Sequence, residues 1–169
     1  QTIHLAQLDH GQVLYLDKRN ARKPVDMFSQ AGRVGPAYCT GVGKAMLAFL
    51  PPVQWDQLLP QQSYHAYTPS TITSEAALRA ELEEIRGRGH AFDREEHEPG
   101  IICIAMPIRS AWGGLLGGLS VTGQTSRCDY DRLEELLHSL RDTAHAIAED
   151  AQDWRFPEAD WTGNKLEEG

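Results

Sequence analysis

Residues 92–122 read FDREEHEPGIICIAMPIRSAWGGLLGGLSVT, and the chain's architecture follows from them. The stretch predicts a strand end, an acidic loop, and two strands joined by a turn. Residues 101–108 are an apolar run that contains Cys103, with Pro107 near its end. Trp112, Gly113 and Gly114 supply turn chemistry, and residues 115–121 form the returning strand. Asp93, Cys103 and Ser120 are short polar side chains spaced ten and seventeen residues apart, and Thr122 follows two residues after Ser120. Residues two apart in a strand face one side of the sheet, so Ser120 and Thr122 share a face while Val121 points the other way. If the two strands pair, Cys103 lies beside that hydroxyl pair, and the group forms the polar wall of a small-molecule pocket.

Working outward, residues 2–8 (TIHLAQL) partly alternate and predict a half-buried strand with Ile3 and Leu5 on one side. Asp9, His10 and Gly11 predict a turn into a return strand at 13–17, and residues 25–29 (VDMFS) predict a short third strand. Gly32, Gly35 and Pro36 mark a loop. Residues 38–50 predict a largely buried helix stopped by Pro51 and Pro52, and 53–59 a short helix. Ser74 opens an amphipathic helix carrying Leu78, Leu82 and Ile85, with Gly87 and Gly89 at its end. Beyond the central stretch Ser126 is the expected N-cap of a long helix. Its apolar stripe runs from Leu133 to Ala151 over more than five turns, suited to cover a sheet or to pair with a partner subunit. Residues 154–169 predict a loosely ordered tail whose Trp154, Phe156 and Trp161 are available to dock. Strands with hairpin-length connections around a few helices define an α+β antiparallel sheet with packed helices, not a doubly wound fold.

Composition narrows the function. The 169 residues suit one domain; 41% are hydrophobic and 24% charged, as in an ordinary soluble globular protein. Sixteen basic against 24 acidic residues give a formal charge of −8, which repels a phosphate backbone. Without a basic stripe, finger spacing or helix-turn-helix pattern, direct nucleic-acid binding by this segment is not expected. Three cysteines without paired spacing point to a reducing, cytoplasmic setting. No apolar run reaches membrane-spanning length, so no membrane partner is expected. The chain opens in a strand-like segment without an initiator Met, the pattern of a piece of a longer protein.

Thr40-Gly41-Val42-Gly43-Lys44 looks like a phosphate loop but lacks the Gly at position 38 and the hydroxyl at 45. A loop entering a helix still offers unpaired amides to an anion, although a Gly-rich packing turn explains the same residues. Taken singly, Cys103 reads as a small core residue, Ser120 and Thr122 as sheet-edge satisfiers, and Asp93 as a loop cap. A Cys103–His97 nucleophile pair lacks an orienting third group. His90, Asp93, His97 and Cys103 lack metal-ligand spacing, and neither a metal nor another cofactor is expected. The acidic loop at 94–98 reads as a solvated turn, with a subunit contact or a rim over the pocket as its alternatives.

The order FDREEHEPGIICIAMPI, then GGLSVT, with YCTGVGKAMLAFL before and RCDYDRLEELLHSLRDTAHAIAEDA after, resembles the effector-binding domain of IclR-type transcriptional regulators over residues 2–150. That resemblance implies a GAF-like (PAS-related) antiparallel sheet flanked by helices with a long C-terminal helix. It implies an effector domain at 1–153, with the N-terminal winged helix-turn-helix domain absent from this chain, so that operator DNA is reached only through that domain. It implies a homodimer or homotetramer, with the C-terminal helix and N-terminal strands as candidate contacts, and no enzyme activity. The family's ligand loop maps to Gly41 and Val42, whose amides would hold the carboxylate of a small metabolite. Its Asp, Cys and hydroxyl positions map to Asp93, Cys103, Ser120 and Thr122, and its apolar wall to Met27 and Ile101. Gly35 replaces a position that can carry a larger apolar residue, which would enlarge the cavity and favour a sugar acid over a short keto acid. A ligand-free dimerisation module and a small Cys103-dependent enzyme are the competing readings.

Overall fold

The computed structural model describes residues 1–24 and 26–152. Six antiparallel strands form one sheet in the order β3-β2-β1-β6-β5-β4. β1 (Thr2–Asp9) turns through His10 and Gly11, both at positive φ, into β2 (Gln12–Arg19), the geometry that a two-residue hairpin requires. β3 is the two-residue strand Val34–Gly35. β4 (Ala91–Arg94), β5 (Ile101–Arg109) and β6 (Leu115–Gln124) follow, with Cys103 opposite Thr122 as the central stretch predicts.

Both sheet faces are covered, which explains why β5 reads as a continuous apolar run. On one face lies α1 (Gly41–Ala48), with α2 (Pro52–Leu58) and α3 (Glu75–Arg88) beyond it. All eight α1 residues are buried, as expected of a helix held between sheet and helix. Gly118 has no side chain because a Cβ there would meet Val42 and Met46 at 2.7 and 2.9 Å, so α1 can press onto β6. Carbonyls at and just past the end of α1 are satisfied from outside: Arg86 donates to Ala48 and Leu50, and the Trp55 indole donates to Leu47. Ser74 caps α3 by accepting from the Ala77 amide, and Gly89 closes it in the left-handed conformation. On the opposite face Ile102, Ile104, Met106, Leu119 and Val121 pack against Leu140, Ala144 and Ala148 of α5 (Leu137–Gln152). The apolar stripe of α5 therefore covers the chain's own sheet. β1 is an interior strand paired on both sides.

Four expectations change. No strand forms at 26–29, the described part of the expected third strand; the Phe28 amide donates to the Glu98 carboxylate instead of a ladder carbonyl. In β1 it is Thr2, His4 and Ala6 that are buried over α1, while Ile3 is exposed and Leu5 faces the α5 side. The C-terminal helix is capped by Asp129, which accepts from the Arg132 amide, and not by Ser126, which sits in the turn after β6. It is also broken: α4 (Tyr130–Glu134) ends before α5 begins. Trp154, Phe156 and Trp161 lie outside the described residues. Among the described residues no helix is long and apolar enough to cross a membrane.

Candidate ligand-binding site

Register places the site. Thr2 pairs with Thr122, Thr122 with Cys103, and Cys103 with Asp93, so these four stand in one transverse row across β1, β6, β5 and β4. His4 and Ser120 are paired in the next row. Opposite the rows is the N-terminus of α1. Its first intrahelical bond runs from the Lys44 amide to the Thr40 carbonyl, and the Thr40 hydroxyl donates to Pro36 instead of capping. The Gly41 and Val42 amides thus precede the helix ladder and carry its positive end.

Between sheet and helix is a cavity of about 30 Å³. Met27, Gly41, Val42, Asp93, Ile101, Cys103, Ser120 and Thr122 all line it. Gly35 does not. It borders an outer cleft of about 590 Å³, and the space beside it is filled: a Cβ there would meet the Phe28 ring at 3.1 Å and Tyr15 at 3.4 Å. The inference that Gly35 enlarges the cavity is therefore corrected. Phe28, His97 and Glu98 border both spaces and form the wall between them.

Burial dominates the electrostatics of the cavity. Burial, with Glu96 nearby, pushes the Asp93 carboxyl up to about 7, although the Glu96 amide donating at 2.9 Å and Lys44 oppose the shift. Burial and the adjacent Asp93 push the Cys103 thiol well above its usual range, so it is no thiolate nucleophile. For Glu98 burial acts upward, but His97, the Phe28 amide and Lys18 outweigh it and hold the carboxyl below the ordinary range. Lys44 points away from the cavity. It is fully buried, 2.5 Å from Glu96 and 3.5 Å from Glu81, so the acidic loop is anchored at Glu96 and is not merely solvated. Among the described residues no three His, Cys, Asp or Glu side chains are grouped to hold a metal ion.

Sequence reasoning missed His4, Tyr15, Phe28 and Ser29, all of which line the cavity. The signal for His4 was its period-two partner Thr2: two polar residues on one face of a strand that is apolar on the other.

A curled antiparallel sheet with a polar chamber under a buried helix N-terminus defines a GAF-like α+β domain. The family model described as the C-terminal domain of the bacterial transcriptional regulator IclR matches residues 1–149, and this chain belongs to that family. It is 36% identical over 148 residues to the HTH-type transcriptional regulator KdgR of Escherichia coli K12, covering 88% of this chain and 56% of that protein. Among solved structures, the Thermotoga maritima IclR superposes with a TM-score of 0.83 at 34% identity, covering 89% of this chain and 61% of that one. The inducer-binding domain of a PobR double mutant from Acinetobacter, in complex with 3-hydroxybenzoic acid, gives 0.77 at 28% identity, covering 87% and 86%. The chain spans about half the length of the curated relatives it matches.

Proposed function

We propose that this domain senses a small carboxylate-bearing metabolite, a keto acid or a sugar acid, and that occupancy alters operator binding by the regulator to which it belongs. One observation supports the reading: Gly41 and Val42 at the start of α1 line the same cavity as Asp93, Cys103, Ser120 and Thr122 on the sheet. The amides of Gly41 and Val42 take the carboxylate. Ser120, Thr122 and Asp93 take the ligand's carbonyl or hydroxyl oxygens, since a protonated Asp93 can donate and does not repel an anion. Met27 and Ile101 close the apolar side. The raised thiol of Cys103 argues for a hydrogen-bonding group in place of a nucleophile, and the relatives are named as transcriptional regulators.

A cavity of about 30 Å³ holds about one water, so binding of an acid requires the walls of the cavity to move apart, and the segment at 27–29, which lines it, is the part we propose to move. Binding shifts a homodimer or homotetramer between arrangements only insofar as they hold the ligand with different affinities, and DNA is reached through an N-terminal winged helix-turn-helix domain. The test is calorimetric titration with pyruvate, gluconate and 2-ketogluconate, beside Asp93→Asn and Ser120→Ala. Saturable binding weakened in both variants supports the reading; a folded protein that binds none of the acids favours a dimerisation module.

A further inference from the structure

His4 lines the cavity and has no task in the reading above. His4 is 3% exposed, and its imidazole is wedged between three hydroxyls. Nε2 is 2.8 Å from Ser29 Oγ, and Nδ1 is 3.3 Å from Thr122 Oγ1 and 3.5 Å from Ser120 Oγ. Tyr15 packs edge-on at 5.5 Å. Burial and nearby Lys18 push the ring down to about 4 against the pull of Glu98, so it is neutral under ordinary conditions. A neutral imidazole has one N–H and one lone pair.

That inventory has a consequence for the hydroxyl pair. Nδ1 can make one good bond, yet two hydroxyls face it at long distance. One hydroxyl is always left to the cavity, and the tautomer of His4 decides what it and its neighbour offer. With the proton on Nε2, Nδ1 accepts from Ser120 or Thr122, and that oxygen turns its lone pairs to the ligand. With the proton on Nδ1, the ring donates to an oxygen, and both hydroxyl hydrogens turn to the ligand. Ser29 tolerates either state because a hydroxyl both donates and accepts.

We propose that His4 is a positioning residue that lets Ser120 and Thr122 read either a hydroxyl or a carbonyl on the same carbon of the acid, so that the domain accepts a 2-hydroxy acid and its 2-keto counterpart alike. The proposal rests on the effector-binding reading above. His4 acts through the two hydroxyls and touches the ligand's neighbours, not the carboxylate.

The experiment is calorimetric titration of the chain with gluconate and 2-ketogluconate, and with L-lactate and pyruvate, in wild type, His4→Phe and His4→Gln. Wild type is expected to bind the members of at least one pair within about tenfold of each other. In His4→Phe the hydroxyl that accepts from a ligand hydroxyl loses the acceptor for its own hydrogen. The hydroxy acid should then weaken by about tenfold more than the keto acid, the usual scale for a buried polar group left unpaired. His4→Gln, which keeps a donor and an acceptor, should restore most of the wild-type ratio. Thermal unfolding monitors folding, and the ratio between two ligands on one protein does not respond to a general loss of stability. Equal weakening of both acids in His4→Phe would overturn the proposal while leaving the effector reading intact. Failure of wild type to bind either member of both pairs would overturn both.

Discussion

A Cβ on Gly41 would collide with the Cys103 sulfur and stand 3.2 Å from the Asp93 amide. The helix can deliver its first amides to the sheet only because position 41 has no side chain. Gly41→Ala should therefore push α1 off β4 and β5, at about 1–3 kcal/mol for overpacking a close contact. Urea denaturation measures that loss, and calorimetry should find acid binding abolished. A variant of wild-type stability and affinity would mean that Cys103 swings aside freely.

Asp93 makes stability and binding depend on pH. Its carboxyl titrates near 4 in an unfolded chain and at about 7 in the fold, where burial and Glu96 raise it. Between those values the folded state binds more protons, so Asp93 lowers stability as pH rises from about 4 to 7, by up to about 1.4 kcal/mol per unit. Above about 7 its contribution is level. Binding of an anion should be insensitive to Asp93 below that point and weaken above it, by up to about tenfold per pH unit. Asp93→Asn keeps an acceptor for the Glu96 amide and should flatten both profiles. An affinity that falls as steeply in Asp93→Asn would assign the dependence elsewhere.

Lys44 and Glu96 tie the acidic loop to α1. Removing one member of a buried pair leaves an uncompensated charge, at about 3–5 kcal/mol. Lys44→Met should lose stability on that scale, and adding Glu96→Leu should recover much of it. Among the described residues the second Glu96 oxygen has no hydrogen-bond partner. A double-mutant cycle in urea gives the coupling, and strictly additive losses would show that the two residues act apart.

The strands at 101–109 and 115–124 were legible because their turn and apolar runs are local, and the transverse row of Asp93, Cys103 and Thr122 follows from their pairing. His4 was hidden because alternation assumes that apolar residues point inward. Here both faces of the sheet are covered, and the inward face of β1 is the polar one. Residues 26–29 have strand-like composition but join no ladder; the Phe28 amide donates instead to the side chain of Glu98, seventy positions away. Glu96 looked solvated because its partner Lys44 lies on another element. The break between α4 and α5 interrupts a continuous apolar stripe that periodicity alone reads as one helix.

Two short bonds tie the segment over the cavity to the rest of the fold, the Phe28 amide to Glu98 Oε1 at 2.9 Å and Ser29 Oγ to His4 Nε2 at 2.8 Å, with the Phe28 ring edge-on to His97. Glu98 is the stronger tether, because its carboxylate remains charged and accepts from a backbone donor. A hydrogen bond to a charged group contributes about 1.5–3 kcal/mol, so Glu98→Ala should make opening more favourable by roughly tenfold or more. Stopped-flow mixing with a bound acid should show faster association and faster release, with affinity changed less than either rate. The cavity of about 30 Å³ must widen to admit an acid, and unchanged rates in Glu98→Ala would place the entry path on another side of the cavity.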